Sequence, residues 1–438
     1  MREMKDSGVA WIGVIPQDWE IVRTKSLYCS AKEIAGDRAD DFERLALTLN
    51  GVIKRSKEDS VGLQPEKFSG YQILKKGELV FKLIDLENVA TSRVGLSPYT
   101  GIVSPAYIVL SKQSRAKDLV VRYSMYHFLS MWQREIFNQM GDNGVRSSLN
   151  AKELLNIPHP FPSINEQKRI VTFLDAQCAE IDAVLEKTRA SIEEYKKLKQ
   201  AVITQAVTKG IRGDRPMKNS GIEWIGDIPA EWEIRKIFRA INKVGDIDHY
   251  MPDSVDDGIP YLMTGDLQEK LSDVNLKRCK KVSFQDYEML SSKIRVSKGD
   301  VIFARYATIG TVCFVDTEDN ILVSYACLII KPNSSLLYGE FLFYYLKSTA
   351  FLEEIKQYIK ANTQANVGLD SVSKAKIALP SVHEQQKIVE YLRDKCKKID
   401  ALIAKKQQYL TEIENYKKSL IYEYVTGKKE VKTSVLAD

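Results

Sequence analysis

The chain is poor in the residues that build metal or disulfide sites: among 438 residues there are four histidines (His127, His159, His249, His383) and six cysteines. The cysteines (Cys29, Cys178, Cys279, Cys313, Cys327, Cys396) form no CxxC pair, and no histidine has ligand-type companions at metal spacing, so no metal is expected. Scattered thiols suit a reduced, cytoplasmic protein. There is no run of eighteen apolar residues and no apolar leader in MREMKDSGVAWIG, so neither a membrane span nor secretion is expected. Also missing are a GxxxxGK[ST] phosphate loop, a DPPY or NPPY motif, and a glycine fingerprint after a strand. Asp266, Glu269 and Asp300 read as ordinary surface carboxylates among 58 acids rather than a nuclease centre. No catalytic residue is expected. The excess of 64 bases over 58 acids, +6, permits a nucleic-acid partner without arguing for one. The length exceeds one ordinary core, so two to four domains are the starting expectation.

What is present is repetition. SGVAWIGVIPQDWEI begins at Ser7, and SGIEWIGDIPAEWEI begins at Ser220, with ten of fifteen residues identical. These two stretches hold four of the five tryptophans, Trp11, Trp19, Trp224 and Trp232. PSINEQKRIV at Pro162 and PSVHEQQKIV at Pro380 repeat at an offset of 218. Each opens a helical pattern, with Ser163 or Ser381 as cap and Glu166 or Glu384 three residues on to close a capping box.

The helical periodicity is long. Leu174, Cys178, Ile181, Leu185, Thr188, Ile192 and Tyr195 follow a 4-3-4-3 spacing, and their counterparts are Leu392, Cys396, Ile399, Ile403, Lys406, Leu410 and Ile413. The pattern continues through Leu198, Val202 and Ala206 against Tyr416, Leu420 and Tyr424, after a step that breaks the heptad and makes the seam drift. Glycine near each end, in VTKG and VTGK, stops both helices. Each is about 45 residues, or about 65–70 Å, at 1.5 Å per residue. A narrow apolar seam of that length needs a partner, and the shared register predicts that the two helices pair with each other. Leu174, Ile181, Leu185, Ile192, Leu392, Ile399, Ile403 and Leu410 are the expected pairing residues.

Between the repeated elements, residues 24–160 and 235–378 share a plan but little sequence. Each has β-like runs (ELVFKLI and SPAYIVLSK; VIFARYATIGTVCFV and ILVSYACLIIKPN), an amphipathic helical stretch and a polar loop, GDNGVRSSLN or ANTQANVGLD. The expected fold class is α+β, with two globular α/β domains separated by two long antiparallel helices forming a coiled coil, related by an internal pseudo-two-fold duplication. The expected segments are 1–160, 161–212, 213–378 and 379–438.

WIG-x-IP-x-x-W, the KGD-VIFAR-x-x-x-IG stretch from Lys298 to Gly310, the NTQ loop and LP-x-x-x-EQ-x-x-IV together resemble the DNA-specificity subunit of type I restriction–modification systems. The resemblance covers essentially the whole chain. It implies target-recognition domains that each read one half of a bipartite site in double-stranded DNA. It also implies helices that dock two methyltransferase subunits, to which nuclease–translocase subunits attach. S-adenosylmethionine then belongs to the methyltransferase and ATP with Mg to the nuclease–translocase, leaving this chain without a cofactor. A coiled-coil protein scaffold that reads no DNA is the alternative, and a stand-alone enzyme is disfavoured by the missing motifs.

Bases are distinguished by Arg, Asn and Gln side chains, whereas Lys and Arg on phosphates fix position. In the second variable segment the candidates are Asn362, Thr363, Gln364, Arg305, Thr308 and the basic run Lys277, Arg278, Lys280, Lys281. In the first they are Arg146, Ser147, Lys82, Arg93, Lys54 and Arg55, with Phe81-Lys82-Leu83 standing where the second half has Phe303-Ala304-Arg305. The tryptophan motif, repeated where the reading surfaces are not, is expected to anchor each variable domain to a helix end.

Overall fold

The computed structural model describes residues 2–30, 32–59, 67–86, 93–140, 148–306, 308–358 and 367–431. They form two compact units, one from residues 1–188 and 408–438 and one from 189–407. The four sequence segments therefore regroup, because each long helix contributes about half its length to either unit. Helix and sheet are mixed in both.

Each unit repeats one plan. In the first, an antiparallel sheet runs in the order Tyr28–Cys29, Ile108–Lys112, Leu79–Phe81, Val94–Leu96. A second sheet holds Gly51–Arg55, Arg44–Thr48, Gly101–Val103 and Gln72–Leu74, with one parallel pairing at its centre. The second unit has the same antiparallel sheet, in the order Ile241–Gly245, Cys327–Pro332, Val301–Ala304, Val312–Phe314. Beside it lies a three-stranded sheet whose pairing of Ile259–Leu262 with Leu322–Val323 is parallel. Phe81 pairs with Val94 as Phe303 pairs with Val312, which aligns the two sheets residue by residue. A two-stranded ribbon ties the beginning of each globular part to its end: Glu20–Arg23 with Pro158–Phe161, and Glu233–Lys236 with Lys376–Leu379.

Each amphipathic stretch is two helices rather than one. Val121–Gln133 and Ile136–Met140 are separated at Glu135, whose φ is 58°. Gly339–Lys347 and Thr349–Lys356 are separated at Ser348, extended in φ/ψ, whose hydroxyl accepts from the Phe351 N–H and caps the second helix. Their apolar faces cover the sheets, with Phe128 edge-on to Phe81 and Phe351 edge-on to Phe303.

The long helices span Ile164–Lys209 and Val382–Val425. Ser163 and Ser381 cap them as expected, each accepting an N–H at 3.3 Å. The glutamates do not close the capping boxes. Glu166 instead accepts from Trp19 Nε1 at 2.9 Å and pairs with Arg2, and Glu384 accepts from Trp232 Nε1 at 3.0 Å and pairs with Arg215 at 2.5 Å. A buried indole N–H needs an acceptor, and a nearly buried carboxylate needs a countercharge, so the three groups satisfy one another. The next residue works inward: Gln167 accepts from the Val120 N–H, and Gln385 from the Tyr338 N–H, holding the start of the packing helix in each unit. The WIG-x-IP-x-x-W and EQ motifs are thus two sides of one joint. At the other ends, Gly210 and Gly427 take left-handed φ of 74° and 70°, and a Cβ on Gly427 would stand 2.4 Å from Pro16.

Within the first unit Cys178, Leu174 and Ile170 share a core with Leu420, Ile421 and Val425. Within the second, Ile203 and Val207 share one with Ile388, Leu392 and Cys396. Of the expected pairing residues, Leu174, Leu185, Ile192, Leu392 and Ile399 are buried, while Ile181, Ile403 and Leu410 are half-buried. Leu198 and Tyr416 depart from the expected seam, at 48% and 54% exposure. Past the break in the heptad the inward positions are taken by Lys199 and Ile203, and by Lys417 and Ile421. The lysine stems lie along the seam while their ammonium groups find carboxylates.

Candidate nucleic-acid interface

The variable segments meet their sheets at one shared junction. The strand Val301–Ala304 ends at Arg305, whose carbonyl accepts from the Val367 N–H at 3.1 Å. In the first unit the strand Leu79–Phe81 runs on to Leu83, whose carbonyl accepts from the Leu149 N–H at 2.9 Å. By the alignment of Phe81 with Phe303, Leu83 and Arg305 are equivalent. In both units the chain leaving the polar loop is therefore pinned to the same point beyond the strand. Asn362, Thr363 and Gln364, like Arg146 and Ser147, lie outside the described residues; the residues that follow them are at this junction.

Arg305 is held in place rather than free. Its guanidinium pairs with Asp246 at 2.5 Å, donates to the Tyr325 carbonyl at 3.3 Å, and lies 5.0 Å from the Tyr306 ring. His249 stacks on Tyr325 at 3.7 Å between ring centroids. Asp246, 59 residues from Arg305, had no signal in the sequence. Thr308 is exposed in the turn that follows.

The basic run divides in two. Lys280 donates to the Pro252 carbonyl and sits 5.6 Å from the Tyr261 ring; Lys281 donates to the Asp256 carbonyl at 3.3 Å and lies 3.8 Å from Asp257. These two fasten the segment before Ile259–Leu262. Lys277 and Arg278 are exposed and have no ion pair among the described residues.

In the first unit Arg93 corrects the expectation. It is fully buried, and its guanidinium donates to the carbonyls of Ile84, at 3.0 Å, and of Lys82 and Asp85. Asp85 has a left-handed φ of 54°, so Arg93 is an internal brace for a tightly turned segment and presents no cation to a ligand. Burial pushes its pKa down, and burial together with the Arg93 charge does the same to Lys82. Lys54 pairs with Glu43 at 2.6 Å and Arg55 with Asp59 at 2.7 Å on the hairpin Arg44–Arg55.

The carboxylates weighed as a nuclease are engaged locally. Asp300 accepts from Lys331 and the Ser297 N–H, Asp266 from the Met263 N–H, and Glu269 from Lys199 and Lys347. His127 and His159 face each other at 4.6 Å between ring centroids in the first unit's core. Among the described residues no group of His, Cys, Asp and Glu is arranged to hold a metal, and no helix is long and apolar enough to cross a membrane.

The family model for the type I restriction modification DNA specificity domain matches residues 16–194 and again 229–415. The chain belongs to this family. The two matches reproduce the duplication read from the sequence. The specificity subunit of the type I restriction enzyme MjaVIII from Methanocaldococcus jannaschii is 25% identical over 433 residues, covering 95% of this chain and 94% of that one. The EcoBI specificity subunit from Escherichia coli is 23% identical over 286 residues, 64% of this chain and 60% of its own. A solved chain from work on assembly and conformational transition of a type I restriction–modification system has the same fold, with a TM-score of 0.68 and 15% identity over 95% of this chain and 99% of that one. The specificity domains are thus the two copies that the Trp–Glu–Arg joints anchor.

Proposed function

We propose that this specificity-family chain reads a bipartite site in double-stranded DNA, one half-site per globular domain, without catalysis of its own. The observation that carries the reading is the division of labour at the two joints. Three repeated pairs (Trp19 and Trp232, Glu166 and Glu384, Gln167 and Gln385) are engaged in attaching domain to helix. The junctions at Leu83 and Arg305 occupy one place in two frames yet carry different chemistry. A common frame with different contents is what reading two different half-sites requires.

Arg305, Thr308, Asn362, Thr363 and Gln364 would contact base edges in the second domain, and Lys277 and Arg278 the phosphates. Arg146, Ser147 and Lys82 would serve the first. The two long helices would run antiparallel as a coiled-coil spacer and dock two methyltransferase subunits in the cytoplasm. S-adenosylmethionine would be bound by those subunits, and ATP with Mg by a nuclease–translocase attached to them.

Co-purification with the methyltransferase encoded alongside it, followed by mapping of methylated positions, tests the reading. The expected result is methylation at one split, asymmetric sequence. Methyltransferase binding with no preference among duplexes would leave the chain as a protein scaffold only.

A further inference from the structure

The joint described above has a second contact, and here the repeat reverses its sign. The Gln167 and Gln385 contacts make Val120 and Tyr338 equivalent, at the same offset of 218 that relates the long helices. Two residues on, Arg122 and Glu340 are then equivalents on the packing helices, and Asp175 and Arg393 are equivalents on the long helices. In the first unit Arg122 donates to Asp175 at 2.7 Å. In the second, Arg393 donates to Glu340 at 2.7 Å. The same contact is made with base and acid exchanged.

The settings differ as well. The Arg122 and Asp175 side chains are 48% and 35% exposed, whereas that of Glu340 is 1% exposed. Besides Arg393, Glu340 has only Lys270 within ion-pair range among the described residues, at 4.0 Å. Tyr126 donates to Asp175 at 2.6 Å, and Arg393 also reaches the Tyr338 hydroxyl at 3.5 Å.

We propose that Asp175 and Arg393 form a charge-coded docking surface that admits each globular domain only to its own long helix. A domain carrying Glu340 on the helix carrying Asp175 would turn a buried carboxylate toward a second carboxylate and remove its countercharge. A buried charge that loses its partner is strongly destabilising, and like charges across a contact reject the wrong partner. The opposite exchange sets Arg122 against Arg393 nearer solvent, where screening weakens the repulsion. The code is therefore one-sided: it bars the second domain from the first helix more firmly than the first domain from the second. The inference does not depend on what the domains bind. It also defines what must travel together, since a domain moved with its EQ repeat but without residue 175 or 393 leaves its countercharge behind.

The test starts in the full chain, where Arg393→Asp recreates the barred facing in place. Arg393→Ala removes the countercharge alone, and Glu340→Gln with Arg393→Asp removes the repulsion. The melting temperature of the second unit should fall furthest in Arg393→Asp, less in Arg393→Ala, and recover in the double variant relative to Arg393→Asp. Equal loss in the Asp and Ala variants, with no recovery in the double variant, overturns the proposal. A chimaera with residues 235–378 in place of 24–160 should gain soluble yield and melting temperature from Asp175→Arg. A chimaera indifferent to that change also overturns it.

Discussion

Lys417 donates to both carboxylate oxygens of Asp182, at 2.6 and 2.7 Å. Lys199 does the same to Asp400, at 2.9 and 2.8 Å. Each lysine and each aspartate is the other's counterpart at an offset of 218, so the first helix gives an acid to one pair and a base to the other. Reciprocal pairing, in which residue i meets j and j meets i, is what a two-fold contact between identical copies requires.

The proposed pairing of the two long helices would make their seam residues sensitive to charge. Leu185 is buried and Ile403 half-buried, so Leu185→Asp should cost about 3 kcal/mol and Ile403→Asp less. Combined, they should abolish methyltransferase binding as well as lowering the melting temperature. Unchanged thermal unfolding in the double variant would rule out helix pairing at this level.

Removing an anchor should be felt locally. Glu166→Ala leaves the Trp19 N–H without its acceptor and Arg2 with Asp18 as its remaining partner, at a cost of about 2–3 kcal/mol. Hydrogen exchange should quicken around residues 2–23 and 164–175 and stay unchanged around 215–236. Glu384→Ala should give the converse pattern. Uniform loss of protection over both units would mean that the joints are not independent.

Acid should weaken the first unit before the second. Burial holds His159 down at about 4; burial, with the His159 imidazole adding to it, holds His127 well below its usual value. Both are neutral when folded, while an unfolded histidine titrates near 6.5. Above about pH 6.5 neither state binds the protons. Below it the unfolded chain takes up protons that the folded core refuses, so stability falls from about pH 6.5 toward 4, by up to about 1.4 kcal/mol per pH unit for each group. His127→Phe, which can pack against Trp11 and Phe128, should flatten the pH dependence of melting over that window. An equally steep profile in the variant would exonerate the pair.

The elements that were legible in the sequence are those governed by local rules. Helix starts at Ser163 and Ser381, stops at Gly210 and Gly427, and the strands around Leu79 and Val301 follow from capping, left-handed glycine and β-branched runs. The use of Glu166 is not legible there, because a capping box is a local pattern whereas its indole partner is 147 residues away. The same holds for Arg93: a cation in a polar stretch looks solvated until the carbonyls of Lys82, Ile84 and Asp85 close around it. At Leu198 the broken heptad implies a drift of the seam, but no local rule implies that the chain turns in the Lys199 stem with Asp400 at its tip. Composition offers no hint of the Asp246 contact to Arg305, which is set by tertiary structure alone.

For DNA, the exposed and the engaged bases should behave differently. Lys277→Ala with Arg278→Ala should weaken all duplexes alike and reduce the salt slope by about 2, roughly one per lost phosphate contact. Asn362→Ala or Gln364→Ala should relax preference at individual base pairs by about 1–3 kcal/mol. Lys280 and Lys281, fastened to carbonyls, should matter more for folding than for the slope. Wild-type affinity and salt dependence in both classes would place the interface elsewhere.

The reciprocity of Lys417 with Asp182 and Lys199 with Asp400 leads to the strongest test of the duplication. In a fragment ending at Gly213, Asp182 of one copy would find Lys199 of another, and both ion pairs would be rebuilt. Gly210 would replace Gly427 beside Trp19, closing the joint at each helix end. Thr188 would enter the seam without the charge that Lys406 carries in the second repeat, its hydroxyl already donating to the Val184 carbonyl at 2.8 Å. The fragment should therefore sediment as a dimer with two-fold symmetry. With methyltransferase added, two identical domains should direct methylation to a palindrome of the first half-site, since target symmetry mirrors protein symmetry. A folded monomer, or methylation still at the asymmetric site, would mean that the halves complete each other but not themselves.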